Sequence, residues 1–199
     1  SFPKFYVLTT ETRMKVKRRF RSVLFTIFAL VLGFVILRQG SELFWKNVYP
    51  LGYSRIVRQE AQENGLEEAF VYAVIKAESN FDPDAVSHAG AIGLMQLTPD
   101  TFEWLQLGEA ETLPTEKLLD PAVNIEYGCK FLARLLETYR DPVLAICAYN
   151  AGIGRVNGWL EDSSLSSDGK GLDVIPYPET ESYARKVQRN YEIYNKLYY

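Results

Sequence analysis

The sequence is poor in metal-binding side chains. One histidine (His88) and two cysteines (Cys129, Cys147) among 199 residues make no credible zinc cluster, which takes four nitrogen, sulfur or carboxylate ligands at close spacing. Metal or cofactor dependence is therefore not expected. Strand-like alternation of apolar and polar residues is nearly absent, which excludes a sheet-built domain. Internal repeats, heptads and low-complexity tails are also missing, so solenoids and coiled coils are excluded. Gly90 and Gly93 of "SHAGAIG" have no strand before them and no Lys-Ser/Thr after them, and so form no nucleotide-phosphate loop. A basic surplus is absent from most of the chain: residues 39–199 carry 14 Lys/Arg against 24 Asp/Glu. A broad nucleic-acid-binding surface is excluded on that ground.

What is present is unevenly distributed. The composition, 47% hydrophobic and 24% charged, is that of a globular chain, long enough for one domain and an appendage. Residues 1–38 hold eight Lys/Arg and one acidic residue. Most of these cations form "KVKRRFR", Lys15 to Arg21, directly before the apolar run "SVLFTIFALVLGFVIL", Ser22 to Leu37, which Arg38 closes. Sixteen helical residues rise about 24 Å, less than the ~30 Å of a bilayer core. Arg side chains that snorkel, or a longer helix, would complete a span. The alternative is a signal peptide, but Arg38, Gln39 and Gly40 offer no small-x-small cleavage site. The expected organisation is a basic cytoplasmic segment at 1–21, a single transmembrane anchor at 22–38, a juxtamembrane linker or helix at 39–53, and a folded domain at 54–199 outside the cytoplasmic membrane. Met14 offers a natural start, and residues 1–13 have no assignable role.

The rest reads as helices. "LGYSRIVRQEAQENG" should end near Gly65, and "LEEAFVYAVIKAES" starts with acidic residues. A loop follows from Asn80 to Gly93, then a short helix in "LMQLTPDTFEWLQ" with Thr98 or Asp100 near its start. Asp120-Pro121 and Asp141-Pro142 are N-cap and first-turn pairs for "AVNIEYGCKFLARLLETY" and "VLAICAYN". "EDSSLSSDGKGLD", Glu161 to Asp173, reads as a flexible exposed insert, and "TESYARKVQRNYEIYNKLYY" as a terminal amphipathic helix. Both cysteines lie in apolar helical patterns; buried thiols are favoured, with a disulfide as the alternative. His88 is expected to be an exposed loop imidazole.

Glu78 breaks its pattern. Val71, Val74 and Glu78 follow the i, i+3, i+7 rhythm of a buried face. A carboxylate there, at a helix C-terminus, is destabilised by burial and by the helix dipole, and both raise its pKa. A general acid needs a carboxyl that stays protonated near neutral pH. The plain alternative is a carboxylate emerging where the helix frays.

Four ordered motifs surround it. Glu78-Ser79 precedes Phe81 by two residues. Ser87, Gly90, Ala91, Gly93, Leu94, Met95 and Gln96 fit Ser-x-x-Gly-Ala-x-Gly-Leu-Met-Gln. Ala148 to Gly152 reads Ala-Tyr-Asn-Ala-Gly, and Glu179-Thr180 is followed by Tyr183. Over roughly residues 54–197 this resembles the soluble-lytic-transglycosylase family of peptidoglycan enzymes, and "NIEYG", Asn124 to Gly128, resembles the helix behind the family's cleft. The resemblance implies a mostly α, lysozyme-like fold. It also implies cleavage between N-acetylmuramic acid and N-acetylglucosamine, with Glu78 as acid and then base and a 1,6-anhydro end as product. It places Tyr149 beside Glu78, and makes Ser87, Met95, Gln96, Asn150, Glu179 and Tyr183 residues of the substrate cleft. Peptidoglycan strands are the implied partner. A muramidase using Glu78 and water, or a non-catalytic glycan-binding module, are the alternatives.

Overall fold

A computed structural model describes residues 10–199; the expectations for residues 1–9 lie outside the described residues. The chain divides into two compact units at Val48/Tyr49. The first contains helix α1, Thr10–Val48, whose 39 residues rise about 58 Å. The segment 39–53, expected as linker or helix, is thus helical through Val48, and Tyr49–Tyr53 belongs to the second unit. An 18-residue window of α1 has mean hydropathy 2.4, and Phe25, Leu30, Phe34 and Leu37 stand exposed on it. By length and composition α1 is able to cross a membrane, a test that a signal sequence also passes.

The second unit is helical, with isolated bridges but no sheet among the described residues. Its elements are α2 (Ser54–Glu63), α3 (Glu68–Glu78), α4 (Pro99–Leu105), a 3-10 turn (Thr115–Leu119), α5 (Pro121–Tyr139), α6 (Pro142–Ala151), α7 (Ile153–Glu161) and α8 (Pro178–Tyr198). The Asp-Pro signals act as expected. Asp120 Oδ1 accepts from Ala122 N at 2.9 Å, and Asp141 Oδ1 from Val143 N at 2.7 Å, satisfying N–H groups that lack intrahelical partners. Gly65, in the left-handed region at φ 66°, closes α2: Leu66 N donates to Ala61 O at 2.8 Å, as that cap requires.

The short helix begins at Pro99, as expected for Thr98 near its start: Thr98 caps it (Thr101 N to Thr98 Oγ1, 3.2 Å), and Gln96 is left-handed at φ 50°. Leu94, Met95 and Gln96 therefore belong to the preceding loop. Helix α7 has no counterpart in the sequence reading. Gly154 and Gly158 weaken its intrinsic propensity, and burial of Val156 and Trp159, one turn apart, compensates. The insert at 161–173 is a loop, exposed over most of its length as expected, and it is internally bonded. Ser166 is buried; its Oγ donates to Gly171 O at 2.6 Å and accepts from Gly169 N, while Asp173 Oδ2 accepts from Ser167 N at 2.8 Å.

Helix α3 is the centre of this unit. Ala69 through Ile75 are all buried, so the helix is apolar around its whole circumference and needs cover on every side. Burial of Val71, Val74 and Ile75 stabilises by about 1.5–3 kcal/mol each. Helix α8 runs antiparallel along it: Tyr183 meets Glu78, Asn190 Nδ2 donates to Ala73 O at 3.2 Å, and Tyr191 Oη donates to Glu67 at 2.6 Å. The core also contains Cys129 and Cys147, both free and buried. Burial raises both thiols, Cys147 to about 11, so neither forms the reactive thiolate at neutral pH. The native protein should therefore resist a disulfide-exchange reagent for hours and expose two thiols in denaturant. Rapid labelling before unfolding would refute this.

Candidate active site

Helix α3, buried from Ala69 to Ile75, ends in the carboxylate of Glu78, and the chain reverses sharply there. Ser79 Oγ donates to Leu94 O at 2.8 Å, tying the end of α3 to the glycine-rich loop. Asn80 (φ 53°) and Phe81 (φ 68°) follow in the left-handed region. For a bulky residue this conformation costs about 1–3 kcal/mol and persists only where surroundings enforce it. The Phe81 ring lies 6.3 Å from that of Tyr72 and occupies the space beside Gly52, where a Cβ would come within 2.8 Å of it.

Glu78 is half-buried, and Tyr183 Oη donates to its Oε1 at 2.6 Å. Burial pushes the carboxyl up to about 7, against the opposing effects of the Tyr183 hydrogen bond and the Lys186 charge. Tyr183 and Tyr149 are themselves held well above the ordinary phenol range, first by burial and then by the Glu78 charge. Both phenols are therefore donors. At neutral pH Glu78 is divided between acid and carboxylate, the condition for giving a proton and later taking one.

The loop tied to the end of α3 through Ser79 is braced by named groups. Met95 N donates to Asn124 Oδ1 at 2.7 Å, and Met95 O accepts from Tyr149 Oη at 2.7 Å. The Met95 side chain fills the space over Gly128, where a Cβ would lie 2.3 Å from its sulfur. Gln96 Nε2 donates to Ala85 O (3.0 Å) and Gly93 O (2.9 Å). Ser87 Oγ accepts from Ala91 N at 3.0 Å. Ser87 and Gln96 thus use these groups to hold the loop's own shape. Asn150 is exposed at the end of α6, its Oδ1 accepting from Thr180 Oγ1 at 2.8 Å. Glu179 stands exposed in the first turn of α8.

The fold therefore gathers Glu78, Tyr183, Tyr149 and Met95 into one network. It puts Asn150 beside Thr180 at the α6–α8 joint, next to Glu179 in sequence, and keeps Ser87 and Gln96 within the loop. His88 is an exposed loop residue. The hydrogen bonds of Asn124 to Met95 N, of Thr180 to Asn150 and of Lys186 to the Ala77 carbonyl escaped the sequence reading. Asn124 left a usable signal: one polar residue on the otherwise apolar face Asn124, Gly128, Phe131 of α5. A concavity of about 790 Å³ lined by residues including Leu66, Phe70, Ile146 and Val187 does not include Glu78. The perturbed acid marks the candidate site instead.

An all-helical domain that presents one partly protonated, phenol-bound carboxylic acid at a helix end tied to a braced glycine-rich loop defines the class to which the fold belongs: the lysozyme-like α fold. Within it, residues 55–170 match the family described as "Transglycosylase SLT domain", and the chain belongs to that family. The soluble lytic murein transglycosylase of Escherichia coli K12 is 30% identical over 145 residues, 70% of this chain and 22% of that protein. The membrane-bound lytic murein transglycosylase C of Haemophilus influenzae PittGG is 36% identical over 115 residues, 52% of this chain and 32% of that one. A solved structure, an inactive Glu-to-Gln variant of lytic transglycosylase Slt from Pseudomonas aeruginosa, aligns with TM-score 0.66 and 34% identity, covering 75% of this chain and 25% of that one. The chain thus spans between a fifth and a third of the length of these curated relatives. Glu179 and Tyr183 lie beyond the matched residues 55–170, and of the two it is Tyr183 that a hydrogen bond joins to Glu78.

Proposed function

We propose that this protein is a peptidoglycan lytic transglycosylase cleaving the β-1,4 bond between N-acetylmuramic acid and N-acetylglucosamine. Protonated Glu78 donates its proton to the glycosidic oxygen, which leaves as the 4-hydroxyl of N-acetylglucosamine. The resulting carboxylate then takes the proton of the muramic C6 hydroxyl as that oxygen bonds to C1, closing a 1,6-anhydro ring. Atoms balance without water. The observation that carries this reading is a single carboxyl raised to about 7 and held by Tyr183. Burial raises this carboxyl, and the Tyr183 hydrogen bond and the Lys186 charge act against it. A carboxyl poised near neutral pH suits one group serving twice, as acid and then as base. Ser87, Met95, Gln96, Tyr149, Asn150, Glu179 and Tyr183 are assigned to the substrate cleft. The N-terminal helix is assigned as a single-pass anchor, its basic flank Lys15–Arg21 cytoplasmic and the catalytic unit facing the wall.

The deciding experiment is mass spectrometry of fragments from peptidoglycan treated with the full chain in detergent micelles, beside Glu78→Gln. Fragments ending in 1,6-anhydromuramic acid, lighter by one water than hydrolysis products and absent from the variant, are expected. Reducing ends would make the protein a muramidase, and binding without cleavage a glycan-binding module. Because the acid must be protonated at the start, kcat/KM should fall as pH rises above about 7, approaching tenfold per unit. A profile flat to pH 9 would contradict the assignment.

A further inference from the structure

Helix α8 touches the end of α3 at two points one turn apart. Tyr183 donates to the Glu78 carboxylate, and three residues later Lys186 Nζ donates to the Ala77 carbonyl at 2.5 Å. Side chains at i and i+3 share a helix face, so the two form a fork around residue 78. Ala77 O is among the last carbonyls of α3, which lack intrahelical donors and favour a nearby cation. A lysine in a helix's own last turn often meets that need. Here Lys76 of α3 donates instead to Asn80 Oδ1 at 2.5 Å and lies over the Tyr49 ring. The cation at Ala77 comes from another helix, 109 residues along the chain.

We propose that Lys186 is a positioning residue for Glu78: by holding the Ala77 carbonyl to α8 it sets the carboxyl in register with Tyr183 and with the bond to be cleaved. This rests on the acid–base reading of Glu78. A second consequence is electrostatic. A carboxyl that first gives and then takes a proton works best with its pKa near the working pH. Burial raises this carboxyl, and the charge of Lys186 acts against it. The titratable groups facing Glu78 are Tyr183 and Lys186 from α8 and Tyr149 from α6. On α3 itself the neighbour is Lys76, which burial and the charge of Lys186 lower. Of these, Lys186 is the one that lowers Glu78 through charge.

The test compares the full chain with Lys186→Met, which keeps length but loses donor and charge, and Lys186→Arg, which keeps both. Lys186→Met should lose about tenfold in kcat with KM within about twofold, the pattern of lost orientation. Its alkaline limb should move up by about half a pH unit, since a cation that favoured the carboxylate is gone. Lys186→Arg should restore the limb and most of kcat. A 13C titration of the Glu78 carboxyl reads the same limb without turnover, so the inference is decided even if the wild type cleaves nothing, an outcome that would sink the acid–base reading separately. An unmoved limb and carboxyl titration in Lys186→Met would overturn the proposal, as would a change confined to KM or failure of Arg to restore. Because Lys186 is solvent-exposed, thermal melting should coincide for all three, and a large fall for Lys186→Met would instead make the residue structural.

Discussion

Glu78→Gln is expected to remove about 10²–10⁴-fold of the cleavage rate, the range for a positioned general acid, and at the same time to stabilise the protein above pH 7. The amide oxygen still accepts from Tyr183, so the network keeps its shape, but no proton is available for the leaving oxygen. The stability gain follows from linkage. Folding raises this carboxyl from 4.5 to about 7, so the folded state binds the proton more tightly than the unfolded chain. Stability associated with that proton is fully present below about pH 4.5 and is lost as pH rises through about 7. The full difference corresponds to roughly 3 kcal/mol. Gln carries no such charge. Urea unfolding should therefore show the two proteins diverging between pH 5 and pH 8, with Gln the more stable at the alkaline end. Equal midpoints at pH 8 would show that Glu78 is not strained by burial, and the raised acid would go with it.

The second large effect is Asn124→Ala. Asn124 is fully buried, and one amide serves three backbone groups. Its Oδ1 accepts from Met95 N at 2.7 Å, and its Nδ2 donates to Ile92 O at 2.9 Å and Leu118 O at 2.8 Å. Alanine would leave all three without that partner. Each buried group so orphaned costs about 1–3 kcal/mol, not additively. A loss of roughly 4 kcal/mol is expected, or about 8–16 °C in Tm for a chain of this size. Cleavage measured well below that Tm should still fall, because Met95 O also anchors Tyr149. Gly93→Ala attacks the same hub: its Cβ would lie 2.3 Å from Asn124 Nδ2 and 2.5 Å from Leu118 O, at φ 79°. If Asn124→Ala melts within 2 °C of the wild type, the loop is held by other means and this account of the site fails.

Helix ends were legible in the sequence wherever the chemistry is local. Asp120-Pro121 and Asp141-Pro142 carry an acceptor and a preset φ within two residues, so no distant partner is needed to start a helix. Gly65 closes α2 for a similarly local reason. Helix α7 was not legible, because its glycines speak against a helix and its support comes from burial of Val156 and Trp159. The insert was legible in part. Its Ser, Asp and Gly residues signal a loop correctly, but the same side chains bond to one another's backbone, and composition does not reveal that they close on themselves.

The same division runs through the site. The sequence by itself determined that a carboxylate would stand at the end of an apolar helix before a turn, within an ordered set of motifs, and that an apolar basic-flanked helix precedes the domain. These depend on residue order and spacing along one chain. Only the tertiary structure decided that Tyr183 and Lys186 grip residues 78 and 77, that Asn124 holds the loop, and that Ser87 and Gln96 spend hydrogen bonds on the loop itself. A pKa near 7 likewise needed the fold, because burial and a neighbour 105 residues away set it together. Local order specifies where a charge sits on its helix, whereas its protonation depends on what surrounds it, and those surroundings come from other segments.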